Sequence, residues 1–265
     1  GAFWPAVVFA GLGNAVFHLG GGVISLRIEP GRASLPGFFV APGAAGLAIG
    51  IWMGANQWAP WLPAVALAVV IPFFRLAATV AKDGQRPVHK LDTRIPLLAV
   101  CVLFAVIVLR AFIGTGMAFP WKSEPALLWL LTAAVVLGKA AGGALADRFG
   151  RALVGVGALV LSAPLLMVGP SWAGLGIIGM LFFNMTMPVT LVALADRMPE
   201  RPGFAFGLTC LALIAGGLPV ALHLVGTLDV MIAGLLVLCS AGLLWLGLVR
   251  PWHASAMSVR LEVRS

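Results

Sequence analysis

Arg110 and Lys139 stand deep inside otherwise apolar stretches of the chain, where inserting a charge into hydrocarbon costs about 3 kcal/mol or more. Such residues need a reason. No Asp or Glu lies in the middle of an apolar stretch: Glu29, Asp83, Asp92, Asp147, Asp196, Glu200 and Glu262 fall in one set of loops, Glu124 and Asp229 in the other. Cations without a resident anion suit a hydrated path for a small anionic molecule, and the guanidinium fork matches carboxylate, phosphate or phosphonate. The structural alternatives are that Lys139 snorkels to the lipid boundary and that Arg110 serves backbone carbonyls or an acid elsewhere. Asn14 and His18 are spaced to share one helical face. Asn184 and Thr186 precede Pro188, whose missing N–H leaves a carbonyl to satisfy. Arg110, Lys139, Asn14, His18 and Asn184 are the candidate cargo-binding set. His18 and His223 are the candidates for carrying a coupling proton within the stretches. Cys101, Cys210 and Cys239 lack metal-ligand spacing, and no G-x-S-x-G, phosphate loop or paired intramembrane carboxylates occur. No catalytic residue, metal or cofactor is therefore expected.

The elements that must position these residues are membrane spans. Hydrophobic residues make up 61% of the chain and charged ones 10%, with a mean hydropathy of +1.07, which excludes an ordinary soluble domain. A helix needs about 20 apolar residues to cross the hydrocarbon. Nine stretches qualify, at 3–25, 36–57, 59–76, 95–119, 126–146, 152–170, 172–195, 203–226 and 229–249. The fold class is all-α and polytopic. With alternate loops in the cytoplasm, that side collects Arg27, Arg32, Arg75, Lys82, Arg86, Lys90, Arg94, Arg148, Arg151, Arg197, Arg201, Arg250, Arg260 and Arg264. The other side collects Lys122 alone. This asymmetry accounts for the net charge of +8 without nucleic acid and places the carboxyl end in the cytoplasm. Trp4, Trp58, Trp61, Trp121 and Trp172 fall at the outer ends of spans, where indole suits the lipid boundary.

Between the fifth and sixth stretches runs Gly143-Ala144-Leu145-Ala146-Asp147-Arg148-Phe149-Gly150-Arg151. It resembles the signature turn of the major facilitator superfamily, G-x-L-A-D-R-x-G-R, which joins the second and third helices of each six-helix half. Ala152 stands where the family often has a further basic residue. Gly143 lets neighbouring helices approach, Gly150 permits a backbone conformation closed to other residues, and Asp147 can pair with or cap a nearby helix end. Counted from this turn, the chain would hold helices four to twelve, with three amino-terminal helices missing. Residues 1–76 would then complete one half (helices 4–6), 77–94 the interdomain linker, 95–250 the second half (helices 7–12) and 251–265 a cytoplasmic tail. A complete nine-span protein is the alternative.

An internal echo agrees with this register, since facilitator halves are parallel repeats. Asn14, then Arg27, Glu29 and Arg32, then Pro36-Gly37-Phe38-Phe39 has a counterpart in Asn184, then Asp196, Arg197, Glu200 and Arg201, then Pro202-Gly203-Phe204-Ala205-Phe206. The segment from Gly11 to Gly22 is similar to the fourth helix of the fosmidomycin-resistance-type branch, with Leu19 departing from its pattern, and its Gly triplet suits close helix packing. Ala41-Pro42-Gly43-Ala44-Ala45-Gly46 is similar to the antiporter motif of drug exporters, with Ala41 and Ala45 replacing glycines. Pro42 implies a kink, as Gly216, Gly217 and Pro219 do in the eighth stretch. The resemblance implies a secondary transporter in the plasma (inner) membrane, working by alternating access and moving a small anion, with proton-coupled efflux as one mode. Gly143, Asp147, Arg148, Gly150 and Arg151 would form its conformational switch. The lipid bilayer is the other implied partner, and oligomeric state is open. A non-transporting receptor or scaffold on the same fold is the competing class.

Overall fold

The computed structural model describes residues 3–59, 61–63, 65, 68 and 96–249. Among these there is no strand, and the long elements are α1 (Phe3–Ile28), α2 (Ser34–Ala55), α3 (Leu97–Gly116), α4 (Pro125–Phe149), α5 (Arg151–Val168), α6 (Ala173–Asp196), α7 (Pro202–Ala221) and α8 (Val230–Val249). A single 3-10 turn, Pro120–Ser123, joins α3 to α4. Eight described helices are long and apolar enough to cross a membrane, each within a few residues of an expected stretch. Of the stretch at 59–76, residues 61–63, 65 and 68 are helical and the others lie outside the described residues. The linker 77–94 and the tail 251–265 also lie outside them, as do Arg75, Lys82, Asp83, Arg86, Lys90, Asp92, Arg94, Arg250, Arg260, Glu262 and Arg264.

Helix boundaries follow local chemistry. Pro125 and Pro202 open α4 and α7 at positions where a missing N–H costs nothing. The Asp229 carboxylate caps α8, accepting from the Met231 amide at 2.8 Å and the Ile232 amide at 3.2 Å. Gly150, with φ +94°, ends α4 and begins α5 in one residue, so the compact turn has the backbone expected of it. Pro42 sits inside a continuous α2 and Pro219 near the end of α7. The eighth stretch is shorter than expected: α7 stops at Ala221, and His223 occupies an exposed turn with φ +55°. This corrects its placement within a span.

The core is built by α3 to α8. In it α4 and α5 pack on α6, α5 packs on α8, and α3 packs on α7 and α8. Glycines set the closest approaches: a Cβ at Gly138, Gly142 or Gly216 would strike the Leu181, Met185 or Val108 carbonyl of the facing helix. Outside this core, α2 lies along α4, while α1 touches α2 and α7. The Gly triplet serves packing in part, with Gly21 against the Phe39 ring and Gly22 against the Phe206 ring. Elsewhere α1 presents Val8, Phe9, Leu12 and Val16 to its surroundings.

Contacts between helix termini define the two ends of the bundle. At the end bearing the arginines, Arg151 pairs with Asp196, and Arg197 Nη2 donates to the Gly247 carbonyl at 2.6 Å. At the opposite end, Trp121 Nε1 donates to the Gly169 carbonyl at 2.8 Å, with Lys122 beside it. Trp58, Trp61 and Trp172 are exposed.

Candidate functional site

The switch residues lie at the basic end, where α4 meets the start of α2. Asp147 accepts the Ala33 amide at 2.7 Å on Oδ1 and the Ser34 amide at 2.9 Å on Oδ2. It thereby satisfies two of the orphan donors at the α2 N-terminus and sets a negative charge at the positive end of the helix dipole. Arg32 Nε lies 4.0 Å from the same carboxylate, and Arg32 Nη1 binds Glu29 at 2.7 Å. The exposed Glu29 bond raises the already high pKa of the Arg32 guanidinium. Beside the carboxylate there is no room for side chains: a Cβ at Gly143 would overlap the Ala33 carbonyl and stand 2.9 Å from Ser34 Cα. A Cβ at Gly37 would stand 2.8 Å from the Lys139 carbonyl. Arg148 is exposed, with its guanidinium 5.3 Å from the Phe149 ring centroid, and Arg151 is taken up by Asp196. Of the five, Gly143 and Asp147 meet the start of α2. Arg151 instead ties α5 to α6.

Further along the helices the expected polar residues form a layer. At about 1.5 Å per residue from the basic ends of their helices, Lys139 and His18 lie about 15 Å in, Asn184 about 18 Å, Arg110 about 20 Å and Asn14 about 21 Å. Among the described residues neither Arg110 nor Lys139 forms an ion pair with a carboxylate. Arg110 is only 6% exposed. Its Nη2 donates to the Phe183 carbonyl at 3.0 Å and its Cζ lies 5.0 Å from the Phe183 ring centroid, leaving Nε buried without a partner. Lys139 is partly exposed. Asn184 Nδ2 donates to the Met180 carbonyl at 2.8 Å, and its Cβ faces Gly138, next to Lys139. Thr186 Oγ1 donates to the Phe183 carbonyl at 2.8 Å. Neither side chain addresses the Asn184 carbonyl, the one left without its usual donor by Pro188.

On the other side, His18 Nδ1 lies 3.0 Å from the Asn14 carbonyl, so the pairing of these residues runs through the backbone of Asn14. The Asn14 side chain is exposed. The imidazole packs in T-shaped contacts with Phe17 and Phe39, at centroid distances of 5.6 and 6.1 Å. Arg110 thus meets α6 at Phe183, and Asn184 of the same helix faces α4 beside Lys139, whereas His18 and Asn14 belong to α1.

One aromatic contact between helices was not expected. Phe39 of α2 and Phe206 of α7 meet at 6.3 Å between centroids, and Phe39 also meets Phe17 at 5.8 Å. The signal was present in the echo, because Phe39 and Phe206 end its two aromatic copies. Nothing in a linear echo says that its copies touch.

An apolar cavity of about 530 Å³ opens between α3 and α7, lined by Leu97, Val100, Cys101, Phe104, Met198, Phe204 and Leu208. No polar group from the layer lines it. Among the described residues no cluster of His, Cys, Asp or Glu could hold a metal. Compared with known families, curated proteins and solved structures, the chain finds no match. Length and composition of the helices define the class directly: an all-helical, multi-pass membrane protein.

Proposed function

We propose that this chain is a secondary transporter of the major facilitator type that carries a small anionic molecule by alternating access. The observation that carries the reading is the Asp147 carboxylate holding the Ala33 and Ser34 amides across 114 and 113 residues of chain. It joins the start of α2 to the end of α4 through bonds that can break without unfolding either helix. A pair of groups that must separate and rejoin at one end needs such a contact, strong when made and solvated when lost. The resemblance of residues 143–151 to the facilitator signature, the positive-inside assignment of this end to the cytoplasm, and the Phe39–Phe206 contact behind the latch agree with a form closed on the cytoplasmic side.

The anionic cargo is inferred from Arg110 and Lys139. One is buried with a free Nε and the other is partly exposed. A cargo oxyanion reaching this layer would find unshared donors and uncompensated positive charge. The test is flux of labelled small anions into proteoliposomes holding the full chain, with binding measured in parallel. Saturable flux that depends on Arg110 supports the reading. Specific binding without flux would favour the receptor alternative, and neither binding nor flux for any anion would sink the cargo assignment.

A further inference from the structure

Among the described residues two buried polar side-chain atoms have no hydrogen-bond partner, Arg110 Nε of α3 and Ser240 Oγ of α8. The hydroxyl breaks a rule that the other buried hydroxyls keep. Ser25, Ser162, Thr186, Thr190 and Thr209 each donate to a carbonyl three or four residues earlier on their own helix, the ordinary way in which a helix in hydrocarbon satisfies such a group. Ser240 is fully buried and does not. We propose that Arg110 Nε and Ser240 Oγ are the two donors of one closed site, between α3 and α8, for a single small monovalent anion of the chloride class. The site shares Arg110 with the cargo layer, and on that transport reading its halide competes with cargo.

Helix packing aligns the two residues. At one end of the pair a Cβ at Gly247 would stand 2.8 Å from Leu103 Cδ2, and at the other the Leu228 amide donates to the Gly116 carbonyl at 2.8 Å. The helices are therefore antiparallel neighbours. Seven residues make about two turns, so counting from the contact of Gly247 with Leu103 along both helices puts Ser240 and Arg110 on facing sides, level to within about one turn. The adjoining turns are dry, since Val106 and Ile107 on α3 and Val237 and Leu244 on α8 are at most 1% exposed. A guanidinium in such surroundings is costly without a counter-charge, and none of the ion pairs among the described residues supplies one. Its one acceptor, the Phe183 carbonyl, is neutral. Water would satisfy both atoms but leave the charge uncompensated, whereas an anion accepts from both donors and cancels it. One negative charge is enough. Closed apolar walls favour an ion that is small and sheds its hydration at low cost, so chloride, bromide and iodide fit while sulfate and gluconate do not.

Chloride itself serves as the probe. With the full chain in nanodiscs, the nuclear magnetic resonance line of dilute chloride should broaden, and bromide should reverse the broadening while gluconate at equal ionic strength should not. Ser240→Ala removes one oxygen and little volume, so it should weaken chloride binding by at least about tenfold, the worth of a hydrogen bond to a charged group. Arg110→Gln should abolish binding. Replacing gluconate by chloride should also raise the melting temperature of the unmodified protein, and that rise should vanish in Ser240→Ala, which carries the test alone if Arg110→Gln fails to fold. No broadening, as a site holding only water would give, or broadening that survives intact in Ser240→Ala, overturns the proposal. Chloride binding lost in Ser240→Ala, with no anion flux in proteoliposomes, leaves the site standing and removes the transport reading. Arg110-dependent flux that neither chloride nor Ser240→Ala alters leaves transport standing and removes the site.

Discussion

At the scale of single residues, two kinds of charge are held in opposite ways. Asp147 is supplied with donors at 2.7 and 2.9 Å, whereas Arg110 keeps Nε buried and unpaired. A buried donor without an acceptor costs about 1–3 kcal/mol, so the arrangement around Arg110 favours any oxyanion able to reach it. Arg110→Ala is expected to abolish anion binding in a direct assay on purified protein, and unchanged affinity would remove Arg110 from the site. Asp147→Asn keeps an acceptor but loses the charge that complements the α2 dipole, a term of about 0.3–2 kcal/mol. Flux should fall by about fivefold while membrane abundance stays within about twofold. Parallel transport and immunoblot measurements check this, and normal flux would count against the latch. The unusual placement of Arg110 and Lys139 was legible from residue type, and Asp147 stood out only through its motif. Their partners were not: the Phe183 carbonyl, and the amides of Ala33 and Ser34, come from helices distant in sequence.

At the scale of elements, the seam between α2 and α4 depends on side chains that are missing. Gly37 and Gly143 stand where any Cβ would meet backbone of the opposite helix. Gly143→Val should therefore hold the basic end apart with little harm to the α3–α8 core. A thiol introduced at Ser34 would then react faster with a water-soluble maleimide than it does in an otherwise unaltered chain, and an equal rate would show that the seam does not move. Helix positions were readable from hydropathy because a span must reach the length of the hydrocarbon, and the one-residue corner at Gly150 was readable from its motif. The end of α7 was not. Leu222 to Val225 are as apolar as a span, yet the chain turns at His223 with φ +55°. Hydropathy reports which residues tolerate lipid, not where backbone hydrogen bonding stops.

At the scale of the molecule, buried packing is concentrated in α3 to α8, whose ends are tied by polar contacts. Arg197 links the end of α6 to the Gly247 carbonyl of α8, and burial lowers the pKa of its guanidinium. Arg197→Gln should cost about 1.5–3 kcal/mol through loss of a charged hydrogen bond, read as a lower melting temperature in detergent with the α1–α2 seam intact. An unshifted melting curve would show that the tie is dispensable. From sequence alone came the all-helical class, the position of most spans, the compact turn and the short roll of suspect charges, because burying polar atoms in hydrocarbon is so costly that composition and order nearly dictate the elements. Tertiary structure alone decided which helices are neighbours, that Asp147 caps α2, that Arg110 turns to a carbonyl, and that Phe39 meets Phe206. Packing between apolar helices is set by close fit of small residues and by single hydrogen bonds across long stretches of chain, and neither leaves a periodic mark in the order of amino acids.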